Sequence, residues 1–148
     1  MQTRPPAPDG IGFECLTTIQ RPLLDKFYKH HRSRMRAAGE QAWVARREGI
    51  VAALNLTAVA EGHWLTGLFS DPAERRSGIA SALLLAALAA QRGPTWLFCE
   101  PSLQVFYERL GFTPCATLPA PLAGRLQRYR HTRELLAMIH AGHALPTG

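Results

Sequence analysis

The stretch DPAERRSGIAS, residues 71–81, lies between an apolar run that ends at Phe69 and a segment dominated by Ala and Leu. The apolar run reads as a strand, and Ser77 to Gln91 reads as a buried helix because its apolar residues cover more than one face. A strand that turns into a helix through small residues points unpaired backbone N–H groups, and the positive end of the helix dipole, at one spot. The stretch therefore predicts an anion site.

Each side chain of this turn has an expected part in holding a phosphate. The two arginines add positive charge, the serines offer hydroxyl groups, and Gly and Ala let the phosphate come close to the backbone. The stretch matches neither the G-x-x-x-x-G-K-[ST] loop nor the dinucleotide signature G-x-G-x-x-G. Taken alone, it is explained equally well by a helix start with surface arginines. The candidate residues are Arg75, Arg76, Ser77, Gly78, Ile79, Ala80 and Ser81.

The segments around the turn predict a mixed sheet with helices. Residues 42–70 form the simplest antiparallel meander of three strands, with Gly49 and Gly62 near its turns. The order strand, helix, strand, helix from residue 63 predicts a parallel pair joined by a crossover. Strands are predicted over residues 11–18, 42–46, 50–57, 63–70, 95–99 and 125–131, and helices over residues 19–38, 77–91 and 102–110, with a break near residues 30–32.

Length and composition indicate one packed domain over residues 1–148, with a loose arm at 1–10 and a tail or helix at 132–148. Hydrophobic residues make up 47% of the chain and charged residues 19%, which excludes a disordered protein. The longest apolar run, Ile79 to Ala90, is shorter than the roughly 20 residues of a membrane span. Because the N-terminus also lacks the apolar core of a signal peptide, we expect a soluble, cytoplasmic protein with no membrane partner.

Charge and cysteine usage narrow the possible partners. The net charge of +6 favours an anionic partner, whether a nucleotide-like cofactor, a nucleic acid or an acidic surface. The three cysteines lie far apart without a C-x-x-C pair, which argues against a disulfide framework or a zinc site and fits a reducing cytosol. Since His131, His140 and His143 also lack the spacing of a helical zinc pair, we predict no metal.

A second motif lies downstream of the turn, where residues 106–112 read FYERLGF. The R-x-x-G-x-A pattern of residues 75–80 resembles the R/Q-x-x-G-x-G/A signature of the GNAT superfamily of N-acetyltransferases, and FYERLGF resembles that superfamily's FYE-x-LGF segment. The order of predicted elements over Ile11 to His131 also follows the family. The resemblance implies an α/β fold of the GNAT-like acyl-CoA N-acyltransferase type, whose largely antiparallel sheet contains a central, splayed parallel strand pair and is flanked by helices.

The resemblance also implies acetyl-CoA as cosubstrate and assigns residues to it. In the family, the turn amides hold the pyrophosphate, which corresponds here to Arg76 through Ser81 with Arg75 as the leading basic residue. The pantetheine arm runs beside the strand before the turn, which corresponds to Leu68, Phe69 and Ser70. Two positions depart from the family pattern: Arg76 stands where Gly is common, and Glu100 stands near a pantetheine-contacting Asn, so Glu100 is a secondary candidate.

The implied reaction is transfer of an acetyl group to a primary amine, directly within a ternary complex. Tyr107 matches a family tyrosine beside the coenzyme sulfur and is the candidate proton or hydrogen-bond donor to the leaving thiolate. Glu61 and His63, in the hairpin before the splayed strand, are the candidate bases. Each of the three has a simpler interpretation, namely packing for Tyr107 and solvation for the two hairpin residues. Cys99 is better explained as inert packing than as a nucleophile.

Two other functions stay open at this stage, and so does the acceptor. The chain is compatible with a non-catalytic acyl-CoA-binding regulatory module, which would bind coenzyme without transferring an acyl group. An RNA-directed acetyltransferase is indicated only by the net charge, so a nucleic-acid partner is not expected. The basic stretch over residues 26–36 falls where the superfamily shapes its acceptor pocket, and it reads either as a solvated helix face or as a surface for an acidic acceptor. A homodimer is possible.

Overall fold

A computed structural model describes residues 10–142 of the chain. The strands are β1 (Gly12–Cys15), β2 (Gln41–Arg46), β3 (Ile50–Val59), β4 (Gly62–Ser70), β5 (Thr95–Cys99), β6 (Thr113–Pro114) and β7 (Leu136–His140), and the helices are α1 (Arg21–His30), α2 (Ile79–Ala89), α3 (Gln104–Glu108) and α4 (Ala120–Tyr129). The strands are hydrogen-bonded in the order β1-β2-β3-β4-β5-β7-β6. The predicted fold class is confirmed, since the sheet is mixed, has one parallel pair among its described strands, and is flanked by helices.

The chain forms two compact units, which are described separately. Unit 1 contains the described residues up to Thr57 and residues Thr66–Ala90. Unit 2 contains Ala58–Leu65 and the described residues from Gln91 onward. Of the predicted loose arm at residues 1–10, only Gly10 lies within the described residues, and residues 143–148 of the predicted tail also lie outside them.

Unit 1 contains an antiparallel set in which β2 pairs with both β1 and β3. Four consecutive residues of β2, Ala42 to Ala45, are buried, which is the pattern of a strand covered on both faces. Helix α1 packs Leu24, Phe27 and Tyr28 into a core with residues of β2 and β3, because positions three and four apart share one helix face. Helix α1 ends at His30, which agrees with the predicted break near residues 30–32.

A buried polar network joins α1, β3 and β4 within unit 1. The Tyr28 hydroxyl donates to the Gly67 carbonyl oxygen at 2.6 Å, and Asn55 Nδ2 donates to the Tyr28 hydroxyl oxygen at 3.1 Å. Tyr28 and Asn55 are both fully buried. Gly67 has a φ of +68°, and a Cβ there would lie 2.7 Å from Asn55 Nδ2 and 2.9 Å from the Tyr28 oxygen. Strand β4 therefore leaves the extended conformation at Gly67, where only glycine fits.

Substitution of Tyr28 by Phe is expected to lower the free energy of unfolding by about 1–3 kcal/mol. The ring is kept, but the Gly67 carbonyl and the Asn55 amide each lose a buried hydrogen-bond partner. Urea denaturation followed by circular dichroism measures the loss, and Tyr129→Phe is the matched control because Tyr129 is 39% exposed. Equal stability of Tyr28→Phe and the control would contradict a structural role for this network.

Unit 2 contains the parallel pair and an antiparallel extension. Strand β5 pairs in parallel with β4 at two positions, His63 opposite Thr95 and Trp64 opposite Trp96, although β4 continues to Ser70 and β5 to Cys99. Along its other edge, β5 pairs with β7 over its full length, and β7 pairs with the two-residue β6. The parallel ladder between β4 and β5 therefore consists of two residue pairs.

The region after residue 119 corrects two predictions. The predicted strand over residues 125–131 is wrong, because helix α4 occupies most of that range and buries Leu122 and Leu126, four residues apart. A proline in the first turn is typical of a helix start, and Pro121 takes that place here, after Pro119 at the N-cap. Within the predicted tail or helix at 132–148, residues 136–140 form β7. Its sequence, LAMIH, is a short apolar run of the kind that does not by itself distinguish strand from helix.

Among residues 10–142, no helix has both the length and the apolarity needed to cross a membrane.

Candidate functional site

The turn after β4 is built by local capping. Asp71 Oδ1 accepts a hydrogen bond from the Ala73 N–H at 2.9 Å, which starts a short 3-10 turn over Pro72–Glu74. The Asp71 N–H donates to the Val51 carbonyl oxygen of β3 at 2.8 Å. Asp and Pro at these two positions are typical turn residues, because one caps the turn and the other fixes φ. The end of β4 is therefore tied to the sheet before the chain enters α2.

Two residues of the turn adopt the left-handed backbone conformation. Gly78, at the N-cap of α2, has a φ of +83°, and a Cβ at this position would have no heavy atom within 4 Å. Arg76 has a φ of +71°. An L-residue with a side chain holds this conformation at a cost of about 1–2 kcal/mol, a cost that glycine, the residue expected here from the family resemblance, would avoid. Both residues are exposed, so the space in front of α2 is open.

The start of α2 presents free backbone donors. The first helical hydrogen bond runs from the Ala82 N–H to the Gly78 carbonyl oxygen at 3.0 Å, so the N–H groups of Ile79, Ala80 and Ser81 precede it. No side chain of the described residues caps the helix at Gly78, and its first turn holds no acidic residue. Ile79 is buried and fixes the helix to the core of unit 1. The arrangement leaves the donors and the helix dipole available to an anion.

Charges near the turn favour an anion as well. The Arg75 guanidinium lies over the Phe69 ring, 5.2 Å from its centroid, and Arg76 is exposed. Glu74 is the nearest acid in the sequence, and Arg47 neutralises it with Nη1 at 2.6 Å from Oε1. The Ser77 hydroxyl donates to the Glu74 carbonyl within the turn. Its proton is therefore already engaged, which leaves Ser81 as the better hydroxyl donor of the two predicted serines.

The strand before the turn holds Leu68, Phe69 and Ser70, and all three are half-buried on β4. Phe69 packs against Phe27 of α1, with ring centroids 5.9 Å apart. These residues lie beyond the two positions at which β4 pairs in parallel with β5. An unpaired strand edge is the feature that an extended ligand uses to add hydrogen bonds.

The sequence did not single out a histidine–carboxylate pair at this end of β4. His31 Nε2 lies 3.7 Å from Asp71 Oδ2, and the His31 ring packs edge-on against Phe27 at 4.9 Å. The two residues are 40 positions apart in the chain, so no linear motif could have joined them. The pair links the residue after α1 to the first residue of the turn.

In unit 2, Tyr107 of α3 is 8% exposed and packs edge-on against Phe106 and Phe112. Burial raises the pKa of the Tyr107 phenol to about 12, and the neighbouring Cys99 adds to the rise. Within residues 10–142, its hydroxyl group makes no hydrogen bond. Tyr107 is therefore a buried phenol that stays protonated and has a free donor.

The residues at the end of β5 are not arranged for covalent catalysis. Cys99 is buried, its Sγ lies 3.7 Å from the sulfur of Met138, and burial raises the pKa of its thiol, with Glu100 adding to the rise. A raised pKa disfavours the nucleophilic thiolate. Glu100 is exposed and ion-paired with Arg133 at 3.2 Å, so its carboxylate has a partner on the protein surface.

The two candidate bases differ in environment. Glu61 is exposed in the turn between β3 and β4. His63 is half-buried on β4, its backbone N–H donates to the Pro94 carbonyl oxygen at 2.9 Å, and its buried Nδ1 has no hydrogen-bond partner within the described region. Both belong to unit 2, as Tyr107 and Glu100 do, whereas the turn and Leu68–Ser70 belong to unit 1. In the described part of the chain, no three or more His, Cys, Asp or Glu residues are grouped as a metal site.

Comparison with known proteins identifies the family. An acetyltransferase (GNAT) domain model matches residues 38–114, more than half of the chain, and this range includes β2 to β5 and the turn. Comparison with curated protein sequences gives no match.

Three solved structures illustrate the likeness in fold. The ribosomal-protein-S18-alanine N-acetyltransferase from Escherichia coli has 17% identity and a TM-score of 0.66, with 93% of this chain and 98% of that chain covered. An acetyltransferase of the GNAT family from Staphylococcus aureus Mu50 has 16% identity and a TM-score of 0.63, with 88% and 98% covered.

The third structure is the N-acetylglutamate synthase from Neisseria gonorrhoeae complexed with coenzyme A and N-acetyl-glutamate. It has 14% identity and a TM-score of 0.64, and the match covers 90% of this chain but 35% of that one. At these identities the similarity to solved structures shows the fold alone. The family model, in contrast, matches the amino-acid sequence over residues 38–114. The chain therefore belongs to the GNAT acetyltransferase family.

Proposed function

We propose that this protein is an N-acetyltransferase that moves an acetyl group from acetyl-CoA to a primary amine, by direct transfer in a ternary complex. The observation that carries the proposal is the start of α2, where three N–H groups stand free behind a left-handed glycine with open space in front of it. Membership of the GNAT family supports the same reaction class. Three free cysteines fit a reducing cytoplasm, where we place the reaction.

Unit 1 offers hydrogen-bond donors and positive charge that suit the phosphate and amide groups of coenzyme A. The N–H groups of Ile79, Ala80 and Ser81 would hold the pyrophosphate, and the Arg75 and Arg76 guanidinium groups would add charge-assisted bonds. The backbone of Leu68–Ser70 would pair with the amide groups of the pantetheine arm as an added strand would. Bound acetyl-CoA supplies the thioester whose acyl group is transferred.

The remaining roles fall to side chains of unit 2. The Tyr107 hydroxyl is protonated and has no hydrogen-bond partner among the described residues, and it would donate to the sulfur as it leaves. Glu61 or His63 would take a proton from the incoming ammonium group, since only the neutral amine attacks a thioester. His63 is favoured of the two because its ring is half-buried and has no hydrogen-bond partner at Nδ1 among the described residues, whereas Glu61 is exposed. We assign no covalent part to the Cys99 thiol, because burial raises its pKa and so disfavours the nucleophilic thiolate.

The proposal is tested with purified protein, acetyl-CoA and a panel of amines that includes small amines, peptides and aminoacyl-tRNA. We expect acetyl-CoA to raise the melting temperature, because a ligand that binds only the folded state stabilises it. We also expect coenzyme A to be released at a rate that depends on the amine. Initial-rate plots for the two substrates should intersect, as a ternary complex requires.

Two results of this experiment count against the proposal. Coenzyme binding without acyl transfer to any amine would identify a regulatory acyl-CoA-binding module instead. Parallel initial-rate plots, with an acetylated Cys99 found by mass spectrometry, would replace direct transfer by a covalent intermediate.

A further inference from the structure

A basic cavity lies between the end of α1 and the start of β2, within unit 1. Its volume is about 740 Å³, and its charged and polar lining consists of Asp25, Lys29, Arg32, Ser33, Arg34 and Arg36. Four cations thus surround one carboxylate. The volume is within the range of roughly 300–1,000 Å³ that small-ligand sites occupy.

The cations of the basic cavity form no ion pair with the described residues, although the Asp25 carboxylate lines the same cavity. Among residues 10–142, the side chains of Lys29, Arg32, Arg34 and Arg36 form no ion pair or hydrogen bond. The carboxylate of Asp25 accepts a hydrogen bond from the Ala37 N–H at 2.7 Å and is partly satisfied by it. Lys29 complements the negative end of the α1 dipole, but the three arginines come after the helix has ended. Their clustering therefore lacks a structural explanation.

The segment that carries the arginines has a defined backbone. The Ser33 N–H donates to the Tyr28 carbonyl oxygen at 2.9 Å, and the Ser33 hydroxyl oxygen accepts from the Met35 N–H at 3.1 Å. Arg32 holds a φ of +57°, which a residue with a side chain adopts only when its surroundings impose it. The backbone that carries the arginines is thus fixed at the cavity by these bonds, while the three arginine side chains are exposed.

Asn55 links this segment to β4. Asn55 Nδ2 donates to the Arg36 carbonyl oxygen at 3.3 Å as well as to the Tyr28 hydroxyl, and Asn55 Oδ1 accepts from the Ala38 N–H at 2.9 Å. Tyr28 in turn donates to Gly67 of β4, one residue before the proposed pantetheine strand. The lining of the basic cavity and the proposed coenzyme strand are therefore joined through two buried side chains, those of Asn55 and Tyr28.

We propose that the basic cavity binds carboxylate groups of the acceptor, so that the preferred amine is one flanked by acidic groups. This inference rests on the proposed function. Arginine forks match the geometry of a carboxylate and form two parallel bonds to it. A free acidic amino acid and the N-terminus of an acidic peptide share this chemistry. A nucleic acid is disfavoured because specific nucleic-acid interfaces are extended, with about 1,000–2,500 Å² of protein surface buried, and only eight residues line this cavity.

The test compares three peptides with the same N-terminal alanine, followed by two Glu, two Gln or two Lys residues, and adds free L-glutamate as a fourth acceptor. The variant Arg34→Gln/Arg36→Gln removes two cations of the cavity, and Arg92→Gln is the control because Arg92 is exposed in unit 2. We expect the KM for the Glu peptide to rise at least about tenfold in the double variant, an effect of two lost charge-assisted bonds. The KM values for the Gln peptide and for acetyl-CoA should change less than twofold.

A binding measurement keeps this test independent of acyl transfer. The Glu peptide, N-acetylated and labelled with fluorescein at its C-terminus, should bind the wild-type protein and the Arg92→Gln control, and should bind the double variant at least about tenfold more weakly. The inference is overturned if wild type treats the Glu and Gln peptides alike, or if a uridine oligonucleotide binds the cavity more tightly than the Glu peptide. If the labelled peptide binds as expected but no amine is acetylated, the proposed function fails and the anion site stands. Preference for the peptide over L-glutamate, or the reverse, identifies the source of the carboxylates.

Discussion

Gly78→Asp is expected to abolish the rise in melting temperature caused by acetyl-CoA and to weaken coenzyme binding by roughly 100-fold or more, which corresponds to about 2.7 kcal/mol. Because a Cβ at Gly78 meets open space, the new side chain has room in front of α2. Its carboxylate would take the N–H groups proposed for the pyrophosphate and would repel the phosphates. Calorimetric titration with coenzyme A measures the affinity.

Gly78→Asn is the matched control for this charge effect. Asn and Asp have nearly the same shape, and both tolerate the left-handed conformation that Gly78 adopts at a φ of +83°. The asparagine variant therefore carries the same backbone cost without the negative charge. We expect it to keep most of the coenzyme affinity. A folded Gly78→Asp protein that binds coenzyme A as tightly as the wild type would show that the pyrophosphate lies elsewhere.

The fold was predictable where the pattern of apolar residues and the turn residues at its ends indicated the same element. The meander over residues 42–70 and the buried helix from residue 77 have long apolar runs, and the short strand over residues 95–99 directly follows the turn residues Gly93 and Pro94. The structure confirms all of these elements. The region after residue 119 was not predictable in this way. Helix α4 does carry a helical signal, since Leu122 and Leu126 lie four residues apart after a proline start, but these are its only two buried residues. Strand β7 has only five residues, too few for its period to be read, and its pairing with β5 decides the strand.

In unit 1, too, features set by neighbouring residues were predictable, and contacts between distant residues were not. The turn was readable because backbone donors at a helix start depend on local sequence, and its Gly, Ala and Ser residues follow one another. The Tyr28–Asn55–Gly67 network depends on residues up to 39 positions apart. Two weak signals existed, namely a single Asn within the apolar run of β3 and a Gly inside β4, which often marks an irregular strand. Neither signal identifies its partner, since a partner is set by packing.

Tyr107→Phe is expected to lower kcat and kcat/KM together while coenzyme affinity changes little. A pKa of about 12 keeps the phenol protonated throughout the working pH range, so the residue acts as a donor and never as a base. A coenzyme thiol has a pKa near 8.5, so complete proton transfer from this phenol to the thiolate is unfavourable by roughly 5 kcal/mol. We therefore expect Tyr107 to stabilise the departing sulfur through a hydrogen bond.

The size of the loss follows from that assignment. A hydrogen bond to a charged group is worth about 1.5–3 kcal/mol, which predicts a fall in kcat of roughly 10- to 150-fold when the hydroxyl is removed. The phenylalanine keeps the ring packing with Phe106 and Phe112, and Tyr129→Phe controls for the loss of a phenol elsewhere in unit 2. Steady-state rates at saturating acetyl-CoA, with unfolding curves for each variant, make the measurement. If a folded Tyr107→Phe protein keeps its turnover within threefold of the wild type, Tyr107 serves packing alone, and the sulfur is stabilised by another group or by water.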